Sequence, residues 1–207
     1  HTIYQGRTPE EYLLPRDKND INADYTMADA VFTACFLNTL NRNCDIVGMA
    51  NFAPIVNTRG CIFTHKDGIV LRSTYHVFDL YVNHVGDEIL DSWDEHAETM
   101  HVIGKDGHAE DVSVLDVLPT RRSADGALAI AAVNKHASEQ RDLRLVLEDV
   151  QHVTRYRVLT VNGASTESYN DIGDTQVTRS EGPWQQLSTP ALTITLSPHS
   201  VNVIEVE

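Results

Sequence analysis

The chain has 207 residues, of which 42% are apolar, enough for a sizeable core in one or two domains. Its 30 acidic against 16 basic residues give a net charge of −14, which argues against nucleic acid or an anionic membrane surface as a partner. No apolar run approaches the roughly 18 residues that a membrane-spanning helix needs. Cys35, Cys44 and Cys61 are an odd set without metal-site spacing and read as reduced thiols, two of them buried, in a cytosolic protein. The first residues, His1 to Gly6, have no signal-peptide layout, and a natural start upstream of His1 is left open.

Residues 1 to 25 are polar and broken by Pro9 and Pro15, so they read as a surface connector. Thr26 with Asp29 three residues on is a near-match to a capping box and opens a helix. Ala30, Val31, Ala34, Cys35, Leu37 and Asn38 follow at helical spacing, and Asn41-Arg-Asn43 ends it. Ile46 to Ala50 is a short apolar run after a tight turn. Its length and flanks predict a buried strand of a parallel sheet. Asp67-Gly68 signals a hairpin turn, and Ser73 or Thr74 can cap a second helix. Val77, Phe78, Tyr81 and Val82 give that helix its buried stripe, with Gly86 as its C-cap.

From about residue 88 the period changes. Short runs at 100–103, 112–117, 128–133, 143–147, 155–160, 192–196 and 201–206 mostly alternate apolar with polar, and Asp125-Gly126 separates two of them like a hairpin turn. This spacing indicates an antiparallel β-sandwich. Residues 162 to 184 are rich in Ser, Thr, Asn, Gly and Asp and read as a long surface loop.

The stretch Asp45-Ile-Val-Gly-Met-Ala-Asn-Phe-Ala-Pro-Ile-Val-Asn57, continued by Phe63-Thr-His-Lys-Asp-Gly-Ile-Val-Leu-Arg-Ser-Thr-Tyr-His-Val-Phe78, resembles the last strand, loop and helix of the catalytic barrel of glycoside hydrolase family 51 α-L-arabinofuranosidases. The family's strand reads roughly D-x-V-K-M-A-N-L-A-Q-L-V-N. Asp45, Val47, Met49, Ala50, Asn51, Ala53, Val56 and Asn57 match it, while Pro54 replaces a Gln that approaches the sugar. The resemblance covers nearly the whole chain. It implies an α+β fragment: the last βα portion of a (β/α)8 barrel over residues 1–90, then a jelly-roll-like antiparallel β-sandwich over residues 91–207.

In the family, cleavage of terminal α-L-arabinofuranosyl residues from plant polysaccharides and oligosaccharides is retaining, with two Glu residues about 5 Å apart. Both lie on strands earlier than the one present here. No segment has their Asn-Glu or Asp-Glu-Trp context; Trp93-Asp-Glu95 is a superficial match in the linker. A barrel takes about 250 residues and only about 90 here are outside the sandwich, so the chain cannot close one alone. No catalytic residue is assigned, and the isolated chain is expected to be inactive.

Chemistry in β/α barrels gathers at the C-terminal ends of the strands. Asn51 and Asn57 are therefore candidates to hydrogen-bond sugar hydroxyls, or else they satisfy backbone groups in the turn. His65 is a candidate substitute for the lost Gln, or a merely solvated loop histidine. His84, His96, His101 and His108 read as surface residues, and no metal or cofactor is expected. Tyr75, Tyr81 and Trp93 can stack on sugar, but aromatics at helical spacing more often pack between layers. The resemblance implies a cytoplasmic homo-oligomer, often a hexamer, acting on arabinofuranosyl oligosaccharides. The alternatives are a non-catalytic carbohydrate-binding module and a purely structural sandwich that props the barrel. A lone barrel slice leaves strand edges and helix faces uncovered, so self-association or rearrangement of residues 1 to 85 is expected.

Overall fold

A computed structural model describes residues 25–52, 54–57, 59–95, 97–104, 106–148 and 153–207. Residues 1–24 of the expected 1–25 connector and the surface reading of His96 lie outside the described residues, while Tyr25, the connector's last residue, is buried rather than on the surface. The described chain is mixed α/β and mostly sheet. Helices α1 (Met27–Arg42) and α2 (Ser73–His84) form one layer. The strands are β1 (Ile62–His65), β2 (Gly68–Leu71), β3 (Glu88–Ile89), β4 (Thr99–Ile103), β5 (Ala109–Ser113), β6 (Leu115–Arg121), β7 (Leu128–Asn134) and β8 (Arg141–Val146). They continue with β9 (Arg155–Asn162), β10 (Asn170–Asp171), β11 (Asp174–Thr175), β12 (Thr178–Glu181), β13 (Gln185–Gln186), β14 (Ala191–Leu196) and β15 (Val201–Val206).

A seven-stranded antiparallel sheet runs in the order β12-β9-β15-β7-β6-β3, with β13 also on β9. Its centre is β7, paired with β6 on one side and β15 on the other, and every residue of β7 and β15 is buried. The alternation of β15 sorts its side chains onto two faces. Val201 and Val203 join Ala131, Val133, Leu159 and Val161 beneath the helices, where Met27, Ala30, Ala34, Val77 and Leu80 cover them. Ile204 and Val206 join Leu128 and Ile130 on the other face, covered by Leu192, Ile194 and Leu196 of the β8–β14 pair. Helix layer, large sheet and small sheet thus share two apolar cores. The first runs across the expected 90/91 division: its helices come from one side and its sheet from the other. Even β3, before that division, pairs with β6 after it.

Several expectations hold in detail. Thr26 and Asp29 form the capping box that starts α1. Two further amides at that end without intrahelical partners, Met27 N and Ala28 N, donate to the carbonyls of Ser168 and Thr166 at 2.8 and 3.0 Å. The β1–β2 hairpin forms one residue before the Asp67-Gly68 signal, with Lys66 and Asp67 in the turn and Gly68 opening β2, and Gly126, at φ 78°, turns the β6–β7 hairpin.

Other expectations need correction. Ile46 to Ala50 is not a strand: Ile46 N and Val47 N both bond Asn43 O in a turn, and Ile46 and Met49 are 78% and 79% exposed. A parallel strand is stable when neighbours satisfy both edges and cover both faces, and no described strand lies beside this run. Among the described residues the single parallel contact is the isolated bridge Val56–Ile62. The 112–117 run breaks at buried Val114 into β5 and β6, which take different partners. Residues 162–184 hold β10, β11 and β12, with Ser168, Asn170 and Val177 buried, because the side chain of Asn170 supplies what a strand partner otherwise would. Its amide donates to Leu71 O and Val177 O, each at 2.9 Å, while its oxygen accepts from Gln176 N and Val177 N.

The second helix also differs from its expected form. Its N-cap position is Arg72; the Ser73 hydroxyl instead donates to Tyr25 O and Thr26 O. Leu80 is fully buried whereas Val82 is 80% exposed, one helical step off the expected stripe. Gly86 is no left-handed cap. A Cβ there would lie 2.4 Å from the Arg121 backbone, so the glycine lets the chain leaving α2 press against β6. Of the two cysteines expected buried, only Cys61 is fully so; Cys35 is half-buried and Cys44 exposed. No helix of the described residues is long and apolar enough to cross a membrane.

Candidate functional site

The candidate site is the loop that leaves the 46–52 stretch and runs into β1. Its turn is closed by backbone bonds: Gly60 N to Asn57 O at 2.6 Å, Asn57 N to Ile62 O at 2.7 Å and Ile62 N to Ile55 O at 3.1 Å. Gly60 is buried, and a Cβ on it would lie 2.2 Å from Ile55 O, so only glycine fits. Asn57 sits in the left-handed region at φ 56°, which Asn tolerates better than other side chains.

The three candidate sugar contacts have different surroundings. The Asn57 amide is engaged with Thr64: its Nδ2 donates to Thr64 Oγ1 at 2.9 Å, and its Oδ1 accepts from Thr64 N at 2.7 Å. That is the backbone-satisfying alternative, and it braces the loop rather than pointing a free amide outward. His65 follows Thr64 at the end of β1. Its Nδ1 accepts from Asp67 N at 3.3 Å, its ring stacks beside Phe63 at 6.1 Å between centroids, and its side chain keeps 25% exposure. Asn51 is exposed in the irregular stretch before Phe52, whose ring lies 4.9 Å from that of Phe78 on α2. The geometry thus joins Asn57 to His65 through Thr64 and leaves Asn51 on a neighbouring segment. Pro54, exposed beside them, offers no donor in place of Gln.

Two groups, one behind this loop and one away from it, escaped the sequence reading. Arg72, 1% exposed, is the largest fully buried side chain. Its guanidinium donates to Gly60 O and lies 4.4 Å from the Tyr25 ring centroid and 5.4 Å from that of Phe63. Burial pulls its pKa down from the ordinary arginine value. The signal was an arginine directly before a helix, where the dipole disfavours a cation.

The second group lies at the far end of α2, where a closed ring of charges ties the helix to the sheet. His84 Nδ1 meets Glu205 Oε1 at 2.8 Å, and Glu205 Oε2 accepts from Arg157 Nε at 2.5 Å. Arg157 reaches Glu181, Glu181 accepts from Arg179, and Arg179 donates to both Asp79 and His84 Nε2. Because Nε2 accepts, the imidazole proton sits on Nδ1 and is donated to Glu205. Burial raises the Glu205 pKa, but the His84 and Arg157 hydrogen bonds outweigh it and hold the carboxyl below the ordinary value. His84 is therefore not the surface residue expected, whereas His101 and His108 are exposed in pairs with Asp111 and Glu110. Register alone brings Arg157 opposite Glu205, so no local pattern revealed this ring.

Tyr81 is a core residue. Its hydroxyl donates to Asn38 Oδ1 at 2.7 Å and approaches Ala34 O at 3.2 Å. Tyr75 is half-buried and edge-on to His76, while Trp93 is 69% exposed rather than packed between layers. Cys35, on α1, has its thiol pKa pushed up to about 12 by burial, with Asp116 adding to the shift, which disfavours the nucleophilic thiolate. Among the described residues no cluster of His, Cys, Asp or Glu could hold a metal ion.

Comparison with known proteins matches residues 3–200 to the family described as α-L-arabinofuranosidase C-terminal domain. A probable α-L-arabinofuranosidase C of Aspergillus niger is 29% identical over 167 residues, 78% of this chain and 31% of that protein. The corresponding protein of Aspergillus clavatus is 30% identical, over 77% of this chain and 31% of its own length. The chain thus spans about a third of the curated relatives it matches. Among solved structures, the thermostable GH51 α-L-arabinofuranosidase of Thermotoga petrophila superposes with a TM-score of 0.76 at 27% identity, covering 91% of this chain and 40% of that one. An α-L-arabinofuranosidase of Thermotoga maritima, solved as an arabinose complex, gives a TM-score of 0.77 at 26% identity, over 89% and 39%. The match from residue 3 to 200, with helices and sheets superposing on enzymes of known structure, places the chain in the α-L-arabinofuranosidase C-terminal domain family, the C-terminal region of glycoside hydrolase family 51 arabinofuranosidases.

Proposed function

We propose that this chain is the C-terminal part of a retaining α-L-arabinofuranosidase that removes terminal non-reducing arabinofuranosyl residues from plant polysaccharides and oligosaccharides. The single observation that carries this reading is the family match over residues 3–200. In this reading the stretch 46–50 is the last strand of a (β/α)8 barrel. It takes up its extended form only when the preceding barrel strand pairs with it. The exposure of Ile46 and Met49 supports this, since large apolar side chains left open together mark a surface that another element covers. The two catalytic glutamates lie outside this chain, which is inactive by itself.

Asn51, Asn57 and His65 contribute one wall of the sugar pocket. Asn51 and His65 meet sugar hydroxyls, and Asn57 serves chiefly by holding the loop. The sandwich is structural: its larger sheet seats the two helices. The enzyme is a cytoplasmic homo-oligomer. The test is turnover of an aryl α-L-arabinofuranoside by the isolated chain and by the full-length protein, with product anomer followed by NMR. Turnover by the full-length protein alone, releasing product with retained configuration, is expected. Turnover by the isolated chain, or an inactive full-length protein, sinks the reading.

A further inference from the structure

We infer that Arg72 is a positioning residue for substrate binding: its buried guanidinium fixes the turn at Gly60, and that turn places Asn57 and His65. This rests on the reading above that the 55–65 loop walls the sugar pocket. An arginine at the N-cap position of a helix faces an unfavourable dipole, and burying its charge costs more still. What offsets these costs indicates what the residue holds. Two of its contacts go to adjacent loop residues: the side chain donates to Gly60 O, and the backbone N donates to Cys61 O at 3.0 Å. The flat face of the guanidinium is matched by the rings of Tyr25 and Phe63.

From Gly60 the constraint passes along short links. Gly60 N bonds Asn57 O, Asn57 grips Thr64, and Thr64 precedes His65. Asn57 holds its left-handed backbone because both ends of the turn are fixed. Arg72 thus joins the entry to α1, the loop and the start of α2. A lysine there keeps the charge but not the planar fork that both bonds and stacks.

Amide exchange in Arg72→Lys tests this directly. Exchange at Asn57, Gly60 and Ile62 should quicken about tenfold, while Ala131 and Val203 in the sheet centre stay unchanged, as for a local opening. Gly60→Ala crowds the same turn, displacing the carbonyl that Arg72 holds while keeping the arginine itself, and should give the same loop-confined response. In the full-length enzyme, Arg72→Lys should raise KM about tenfold and leave kcat within about twofold, the mark of lost binding that substrate and transition state share equally. Equal acceleration at loop and sheet amides would make Arg72 a general fold residue and overturn the inference. So would an unchanged loop, or a loosened loop with unaltered KM. A wild-type full-length protein without turnover would instead sink the pocket reading, and the exchange result distinguishes the two failures because it needs no sugar.

Discussion

Two apolar runs in this chain have similar composition and opposite fates. Leu128-Ala-Ile-Ala-Ala-Val133 lies in the centre of the large sheet, wholly buried. Ile46-Val-Gly-Met-Ala50 lies in a turn and an irregular stretch, with Ile46 and Met49 more than three-quarters exposed. Local propensity does not separate them, since both are short and β-compatible. The difference is partners. The first run pairs with β6 on one edge and β15 on the other, beneath helices on one face and β14 on the other. The second has no described strand beside it. An apolar run forms a buried strand when its edges and faces are met together, and it stays a surface until they are.

The contrast can be broken or sharpened by mutation. The largest effect is expected from Leu80→Ala, which empties a fully buried site where α2 meets the sheet and should cost about 2–5 kcal/mol in urea unfolding. Gly86→Ala forces a methyl group against the Arg121 backbone and should cost about 1–3 kcal/mol by the same measurement. Glu205→Gln removes the charge that His84 and Arg157 share, for a loss of about 1–3 kcal/mol near neutral pH. Because the folded Glu205 pKa lies below its ordinary value, its contribution is fully present above that ordinary value. It is lost as pH falls through the folded one. The gap between wild type and Glu205→Gln should therefore close in acid, and a gap that widens would contradict the ring. Thr26→Ala weakens the α1 capping box by about 0.5–1 kcal/mol. Smallest of all, Ile46→Ser and Met49→Ser should move stability by no more than about 0.5 kcal/mol while reducing self-association by light scattering. A loss comparable to Leu80→Ala would show that the exposed run is a packed element after all.

Much of the fold was legible locally. The capping box at Thr26, the hairpin signal at Asp125-Gly126 and the runs that became β4, β7, β8, β9, β14 and β15 all rest on short-range rules of cap, turn and alternation. What was missed depends on residues far apart in sequence. The 162–184 stretch looks like a loop by composition, yet Asn170 sews it to Leu71, ninety-nine residues away. His84 looks like a helix-end surface residue until Glu205 arrives from the last strand. For the candidate sugar contacts, the motif singled out a loop but not its internal bonding, in which Asn57 is turned toward Thr64.

The sequence by itself determined the family, both helices and most of the strands, because motif, capping and two-residue periodicity are properties of neighbours in the chain. Only the tertiary structure decided which apolar run became a strand, which charges were buried together, and that Arg72 stands behind the candidate loop. Those outcomes turn on edges, faces and cations meeting partners across many intervening residues, and such meetings leave no local trace.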